Sequence, residues 1–427
     1  QEAINSRTRN SYIAIAIPLF SCALLKDSLM HSFNRKLNPP EIARSLAIQV
    51  NTFVDQLIIP NEPLLAQEGD LSLRLQFDLA NKARLVGLYG LYYPLSQGGK
   101  ITSLEDYLVV AEQAGRTEFA QTIFGNHMAL DAHMLVKYGN DPVCQQFLQP
   151  MINGNAIPGY SITEPGQNRS IPSLIKASAR LSNGKWHING RKWFVSNTDR
   201  ATFMTILVRT AGEDVPIDKA LSMIIVPTNA PGFKIERQLT VMGHSSSQGE
   251  ISLNEVQVPE QNLLGTCGSG IQLVKNRLNL DRLLSAMNWV GLAQRCLDLM
   301  AAQTNSLSDT ANRLASKQRI HRHILNAYQE ILSARELIRI AAKSIDAQNP
   351  NTIAINVAKM AASRALCIAS DSVMQLYDIE GFSDESLLFR IDRIARTSRI
   401  LDDNDETLMS SIERRTINVI YNEAPFL

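Results

Sequence analysis

The chain of 427 residues carries 42 Lys and Arg against 41 Asp and Glu, a formal net charge of +1, with 45% hydrophobic residues. This length and apolar content suit two or three domains with sizeable buried cores, and they exclude a disordered or fibrous chain. A near-zero charge with no Lys/Arg block excludes a phosphate-backbone footprint or a polybasic membrane patch, and with them a nucleic-acid partner. Cys22, Cys144, Cys267, Cys296 and Cys367 are scattered with no C-x-x-C pair. That spacing speaks against a disulfide framework or a thiolate zinc site and for a reducing, intracellular, cytoplasmic setting.

Taken in chain order, Tyr12 to Leu25 is a long apolar run interrupted by Pro18, Ser21 and Cys22. It falls short of the ~20 residues a bilayer span needs and reads as a packed N-terminal segment. From Pro40 to Leu148 the pattern is helical: Ile42, Leu46, Val50, Phe53 and Leu57 recur at spacings of three and four, after Asn38-Pro39-Pro40 and before Pro60 and Pro63. From Tyr160 to Leu264 the reading switches to strands. An extended Tyr160-Ser161-Ile162-Thr163 breaks at the turn Thr163-Glu164-Pro165-Gly166, Asn189-Gly190 gives a hairpin signal, and a strand ends in Trp193-Phe194-Val195-Ser196. Further short runs, Lys176 to Arg180, Phe203 to Val208, Leu221 to Val226 and Glu250 to Val258, are separated by Gly, Pro and Asn clusters.

Ser269 onward returns to helix, with Leu280, Leu284, Met287, Val290 and Leu297 on one face. Helices over about Ile320 to Gln348 and Thr352 to Tyr377, with the final segment, complete a predicted four-helix bundle. Helices, then strands, then helices make an α+β chain with domains expected at residues 1–155, 156–266 and 267–427. His321 and His323 are two apart on a helix and point different ways, so no metal site is expected there.

The T-E-P-G turn and the strand ending in Trp193 to Ser196 resemble the middle β-domain of the acyl-CoA dehydrogenases, where such a turn and a W-I-T strand flank the flavin ring. Gly87-Leu88-Tyr89 to Pro94 with Gly98-Gly99, and Tyr138-Gly139 to Gly154, are similar to the family's N-terminal motifs. Val226-Pro227, Pro231-Gly232-Phe233, Met242-Gly243, Val258-Pro259 and Asn262-Leu263-Leu264-Gly265 follow in the family's order. The resemblance implies an N-terminal helical domain, a central β-barrel or sandwich and a C-terminal four-helix bundle. It also implies bound FAD, an acyl-CoA or acyl-carrier thioester as substrate, an electron acceptor it does not specify, and a homodimer or homotetramer.

The implied reaction takes a proton from the carbon beside the thioester carbonyl and passes a hydride from its neighbour to the flavin. Such a step needs a carboxylate base in a water-poor pocket. In the family the base lies about twenty residues after a G-G-x-G loop. Counted from Gly381, that position is Asp402, in Leu401-Asp402-Asp403-Asn404-Asp405-Glu406. This segment looks like the A-D-G-P-D-E version of members ten and eleven, where Asp is the base. Arg282 takes the place of an arginine that faces the base. Tyr160, Thr163, Phe194, Val195 and Ser196 are expected at the flavin ring; Gln318, Gln375, Gly381, Asn404 and Glu406 elsewhere on the cofactor; Arg169 and Asp403 on the substrate. Composition alone reads Asp402, Asp403 and Asp405 as a solvated acidic turn, and Arg282 as one half of a surface ion pair.

Three dinucleotide-holding features depart from the family. The small residues after T-E-P become Gln167-Asn168-Arg169-Ser170-Ile171, and R-x-x-F-G corresponds to Leu307, Thr310 and Ala311. Q-x-x-G-G-x-G becomes Gln375-Leu376-Tyr377-Asp378-Ile379-Glu380-Gly381, with acidic side chains where phosphates would lie. Two classes of function are therefore carried forward: a divergent flavin-dependent oxidoreductase, and a catalytically silent relative that keeps the fold for binding or scaffolding.

Overall fold

The computed structural model describes residues 41–166, 172–306, 313–383 and 386–422, with the backbone alone for residues 244–246, 304–306, 313–319 and 415–422. The apolar run Tyr12 to Leu25 lies outside the described residues. The protein has an N-terminal helical part, a central β-sheet and a C-terminal helical part.

Helix α1, Glu41–Phe53, buries Leu46, Val50 and Phe53, while Ile42 in its first turn is exposed, so the core stripe starts at Ala43. The chain then widens through a π turn, Val54–Ile58, and a 3-10 turn, Ile59–Asn61, where Pro60 withdraws a backbone donor. Helices α2, Asp70–Leu85, α3, Leu104–Ala114, and α4, Ala129–Tyr138, complete the N-terminal layer. Ser103 caps α3 by accepting the Asp106 N–H at 3.2 Å.

The sheet comprises β1, Pro158–Ser161; β2, Ser178–Ser182; β3, Lys185–Val195; β4, Phe203–Arg209; β5, Leu221–Pro227; β6, Phe233–Val241; β7, His244–Pro259; and β8, Leu263–Leu264. Their order is β6-β7-β3-β2-β4-β5-β8, with β1 added parallel to β4. Strands β4 and β5 are largely apolar and buried on both faces, with Thr205 and Ser222 as their buried polar members. Phe203, Leu207, Met223 and Ile225 face the helical core. Met204, Ile206, Val208, Ile224 and Val226, on the other face, fill the β core with Trp186 and Val195. This double-sided pair joins the sheet to the helices beside the site.

The Asn-Gly hairpin expectation needs a correction. Asn189-Gly190 does not turn the chain; it sits at a bulge inside β3, where the register slips between Ile188 and Gly190. A Cβ at Gly190 would come 2.5 Å from that of Ala177, so glycine serves close approach there. The turn between β2 and β3 is Asn183-Gly184, both at positive φ, 52° and 70°, as a tight hairpin demands.

Helix α5, Gly270–Ser306, packs against α6, Arg313–Asp346, and α7, Thr352–Tyr377, followed by α8, Leu387–Ser398, and α9, Asp405–Asn422. Ala358, Ala362, Ala365 and Ala369 of α7 are buried at spacings of three and four, which lets the helix sit close to its neighbours. The segment Thr352–Phe382 is long and apolar enough to cross a membrane by composition, yet half of its most apolar window is buried inside the protein.

Candidate active site

The strand side of the site is built by a buried ion pair. The Glu164 carboxylate accepts the main-chain N–H groups of Lys176 and Ala177, each at 2.9 Å, and Lys192 Nζ at 3.0 Å. Lys192 is fully buried and also donates to the Ile162 carbonyl at 2.9 Å. Burial brings its ammonium down to about 8, with Glu164 opposing. The pair fixes the T-E-P-G turn against β3, and the Trp193 N–H donates to the Thr163 carbonyl at 2.8 Å. Ser196 Oγ accepts the Tyr160 N–H at 3.0 Å, and Val195 is buried in the β core. Phe194, at φ +53°, is left 43% exposed, with its ring 4.6 Å from that of Trp193, whose Nε1 is buried without a partner. Tyr160, Thr163, Phe194, Val195 and Ser196 thus come together at one strand end.

The loop that carries Asp402 and Asp403 lies between α8 and α9. Asp402 and Asp403 sit at φ +56° and +77°, consecutive left-handed positions that cost a non-glycine residue about 1 kcal/mol or more. Asn404 caps α9, its Oδ1 accepting the Thr407 N–H at 2.8 Å and the Thr407 hydroxyl at 2.7 Å. Arg282, on α5 and 7% exposed, is no surface pair. Its Nε donates to the Asp402 carbonyl at 3.1 Å, its Nη1 to Asn356 at 3.0 Å, and its Nη2 to the Asp403 carboxylate at 2.5 Å. Lys359 of α7, fully buried, donates to the Asp403 carbonyl and to Asp405, both at 3.1 Å, and Arg399 holds the other Asp405 oxygen at 2.9 Å.

Burial, and next the Asp281 carboxylate, push the Asp402 carboxyl up to about 7, against the opposing pull of Arg282, Lys359 and Arg277. A carboxylate in this range can take a proton near neutrality and still be ionised beforehand. The arrangement suits proton abstraction.

Lys359, Asp281, Arg277 and Asp131 belong to this cluster and were not singled out from sequence, and Asp405, read by composition as part of a solvated turn, is instead buried and paired with Lys359 and Arg399. Arg277 and Asp281 are spaced i, i+4 on α5, and Lys359 interrupts an apolar helix; these were the available signals. Among the remaining sequence-predicted residues, Gln375 is exposed near the end of α7 and Glu406 is exposed in the first turn of α9. Gly381 is buried in the 3-10 turn Asp378–Phe382, where Asp378 takes φ +52° and the side chains of Asp378, Ile379 and Glu380 are exposed. Arg169, Leu307, Thr310, Ala311 and the side chain of Gln318 lie outside the described residues.

Three models of one family match in succession: the acyl-CoA dehydrogenase N-terminal domain over residues 40–155, the middle domain over 159–256 and the C-terminal domain over 268–417. The chain is 31% identical to acyl-CoA dehydrogenase family member 11 of Homo sapiens, covering 86% of this chain but 49% of that protein. It therefore spans about half the length of such relatives. A probable acyl-CoA dehydrogenase of Mycobacterium tuberculosis is 31% identical, with 80% of this chain and 85% of that one covered. A solved structure of a putative acyl-CoA dehydrogenase from Mycobacterium abscessus superposes at a TM-score of 0.79 with 26% identity, over 89% of this chain and 98% of that one.

Proposed function

The chain belongs to the acyl-CoA dehydrogenase family, and on that premise we propose that it is an FAD-dependent oxidoreductase that desaturates an acyl thioester between its α and β carbons. The observation that carries the reading is the placement of Asp402: it is half-buried, its carbonyl is fixed by Arg282, and its carboxylate stands outside the ion pairs that occupy Asp403 and Asp405. Asp402 accepts the α-proton: the Cα–H bond breaks, an O–H bond forms on the carboxylate, and the electron pair moves into the new double bond. Arg282 fixes the loop through the Asp402 carbonyl and occupies the Asp403 carboxylate, so that Asp403 does not compete for the proton. Bound flavin supplies the acceptor for the β-hydride.

The residues present fit the ring of that cofactor. Phe194 offers an exposed aromatic face at a strand end, the Trp193 Nε1 beside it is an orphaned buried donor, and Ser196 keeps a hydroxyl proton to give. Tyr160, Thr163 and Val195 frame the same edge. The fit to a diphosphate is poor: Asp378 and Glu380 put exposed acidic groups on the loop with Gln375 and Gly381. FAD is accordingly held mainly by its flavin half, with Gln318, Asn404 and Glu406 as further contacts and Arg169 and Asp403 on the substrate side. The thioester carrier is coenzyme A or an acyl carrier, the assembly a homodimer or homotetramer, and the setting intracellular.

The second reading, a silent relative retained for binding or scaffolding, is favoured by Asp378, Ile379 and Glu380 on the loop and by the sequence changes at Gln167 to Ile171 and at Leu307, Thr310 and Ala311. Flavin titration of the purified protein separates the two. A yellow protein that is bleached by an acyl thioester supports the enzyme; a colourless one that takes up no FAD in excess supports the scaffold.

A further inference from the structure

Among the buried residues of the alanine-rich helix α7 are two long polar side chains three positions apart, Asn356 and Lys359, 3% and 0% exposed. Burying such groups is costly unless each is hydrogen-bonded. Their spacing puts both on one face of the helix, and that face meets the loop of Asp402. Asn356 Oδ1 accepts from Arg282 Nη1 at 3.0 Å, while Arg282 Nε donates to the Asp402 carbonyl at 3.1 Å. Lys359 Nζ donates to the Asp403 carbonyl and to Asp405 Oδ1, both at 3.1 Å. Two successive carbonyls of the loop are therefore each held by a buried cation, at the two residues whose φ is +56° and +77°. Non-glycine residues keep such angles only where the surroundings enforce them. Main-chain bonds close the loop at its ends, from the Leu401 N–H to the Thr397 carbonyl at 3.0 Å and from the Asp405 N–H to the Arg399 carbonyl at 3.1 Å. The Asp402 and Asp403 carbonyls between them are left to Arg282 and Lys359.

We propose that Lys359 is a positioning residue for the base: together with Arg282, which Asn356 holds from behind, it grips the loop by its carbonyls and so fixes where the Asp402 carboxylate stands. This rests on the reading of Asp402 as the base. A side chain leaves its Cα in a direction set by the backbone angles there, so a relaxed turn would carry the carboxylate away from the substrate carbon. Misplacement by about 1 Å is enough to cost a reaction of this kind roughly a hundredfold in rate. The ion pair to Asp405 does something different. Asp405 opens α9, and its other oxygen holds Arg399 at the C-terminal end of α8, so that pair ties together the helices flanking the loop. One ammonium thus makes two contacts, and they differ in consequence: loss of the Asp405 contact leaves a buried carboxylate with one partner fewer, whereas loss of the Asp403 contact frees the turn. If Lys359 only joined α7 to α9, activity would follow stability; a positioning role separates the two.

The test sets Lys359→Met, which keeps an unbranched apolar stem and removes the ammonium, beside the double variant Lys359→Met/Asp405→Asn, which also removes the carboxylate that Lys359 leaves behind. Three quantities are read on the full chain loaded with flavin: the melting temperature, the rate of flavin reduction against the concentration of saturated acyl-CoA thioesters, and amide hydrogen exchange across residues 400–406. Lys359→Met melts lower, its loop exchanges faster, and at saturating thioester it reduces flavin more slowly by roughly tenfold to a hundredfold, with half-saturation and flavin affinity unchanged. The double variant regains melting temperature but neither the rate nor the protection of the loop, since nothing then holds the Asp403 carbonyl. Recovery of the rate together with stability in the double variant overturns the proposal, and so does a wild-type rate in Lys359→Met. Should neither variant fold, Asn356→Ala takes their place, and a wild-type rate with unchanged loop exchange there overturns it. Flavin reduction at the wild-type rate in Asp402→Asn removes the base reading, and the positioning role with it. Failure of every thioester to bleach the wild-type flavin, with the exchange differences present, removes the dehydrogenase reading and leaves the grip on the loop standing.

Discussion

Arg282 holds Asp403 by its carboxylate, at 2.5 Å, and Asp402 only through the main-chain carbonyl, at 3.1 Å. Two adjacent aspartates are thereby separated in chemistry: one is an ion-pair partner, and the other keeps a carboxylate that accepts no hydrogen bond among the described residues.

Asp402→Asn should lower the rate of flavin reduction by substrate by roughly two to four orders of magnitude, the usual contribution of a general base. Asp403→Asn should cost much less. Single-turnover kinetics of both variants check the assignment; a slow Asp403→Asn beside a normal Asp402→Asn would put the register out by one.

The pH profile follows from the same group. Asp402 must be ionised to accept a proton, so kcat/KM should rise tenfold per unit below about 7 and level off above it. Stability should move the opposite way. A carboxyl raised from 3.8 to about 7 favours the folded state at low pH, and that contribution is lost between about 4 and about 7 as the folded protein is forced to ionise it. Above pH 7 Asp402→Asn should therefore melt roughly 4 °C higher than wild type, with the difference vanishing near pH 4. Thermal melts at the two pH values decide this.

Glu164→Gln should destabilise the protein by about 3–5 kcal/mol, because it strands the buried Lys192 ammonium. It should also weaken flavin uptake by loosening the Thr163 turn. Denaturant melts and flavin titration measure the two effects.

Asp378→Gly should tighten FAD binding and leave FMN binding unchanged. It removes an acidic group from the diphosphate loop and places glycine at φ +52°. Parallel titrations with the two flavins check it; equal effects on both would place the loop away from the diphosphate.

Much of the fold was legible because β4 and β5 are short, largely apolar runs between turn residues and α7 is bounded by Asn351 and Asp378, so periodicity and caps agree. The hairpin was misplaced because Asn-Gly occurs twice within residues 183–190, and only backbone angles separate the turn at Asn183 from the bulge at Gly190. At the site, motif spacing pointed to Asp402 and Arg282, which the structure brings together. Asp131, Arg277 and Lys359 were missed because their meaning lies in long-range pairing between α4, α5, α7 and the base loop, which no local pattern reports.

The most direct measurement is anaerobic mixing of flavin-loaded protein with a series of acyl-CoA thioesters while the flavin absorption is followed. The account predicts bleaching by at least one thioester in the wild-type protein, and none in Asp402→Asn that retains its flavin. Bleaching of Asp402→Asn at the wild-type rate, or no bleaching of the wild-type protein by any thioester, would contradict it.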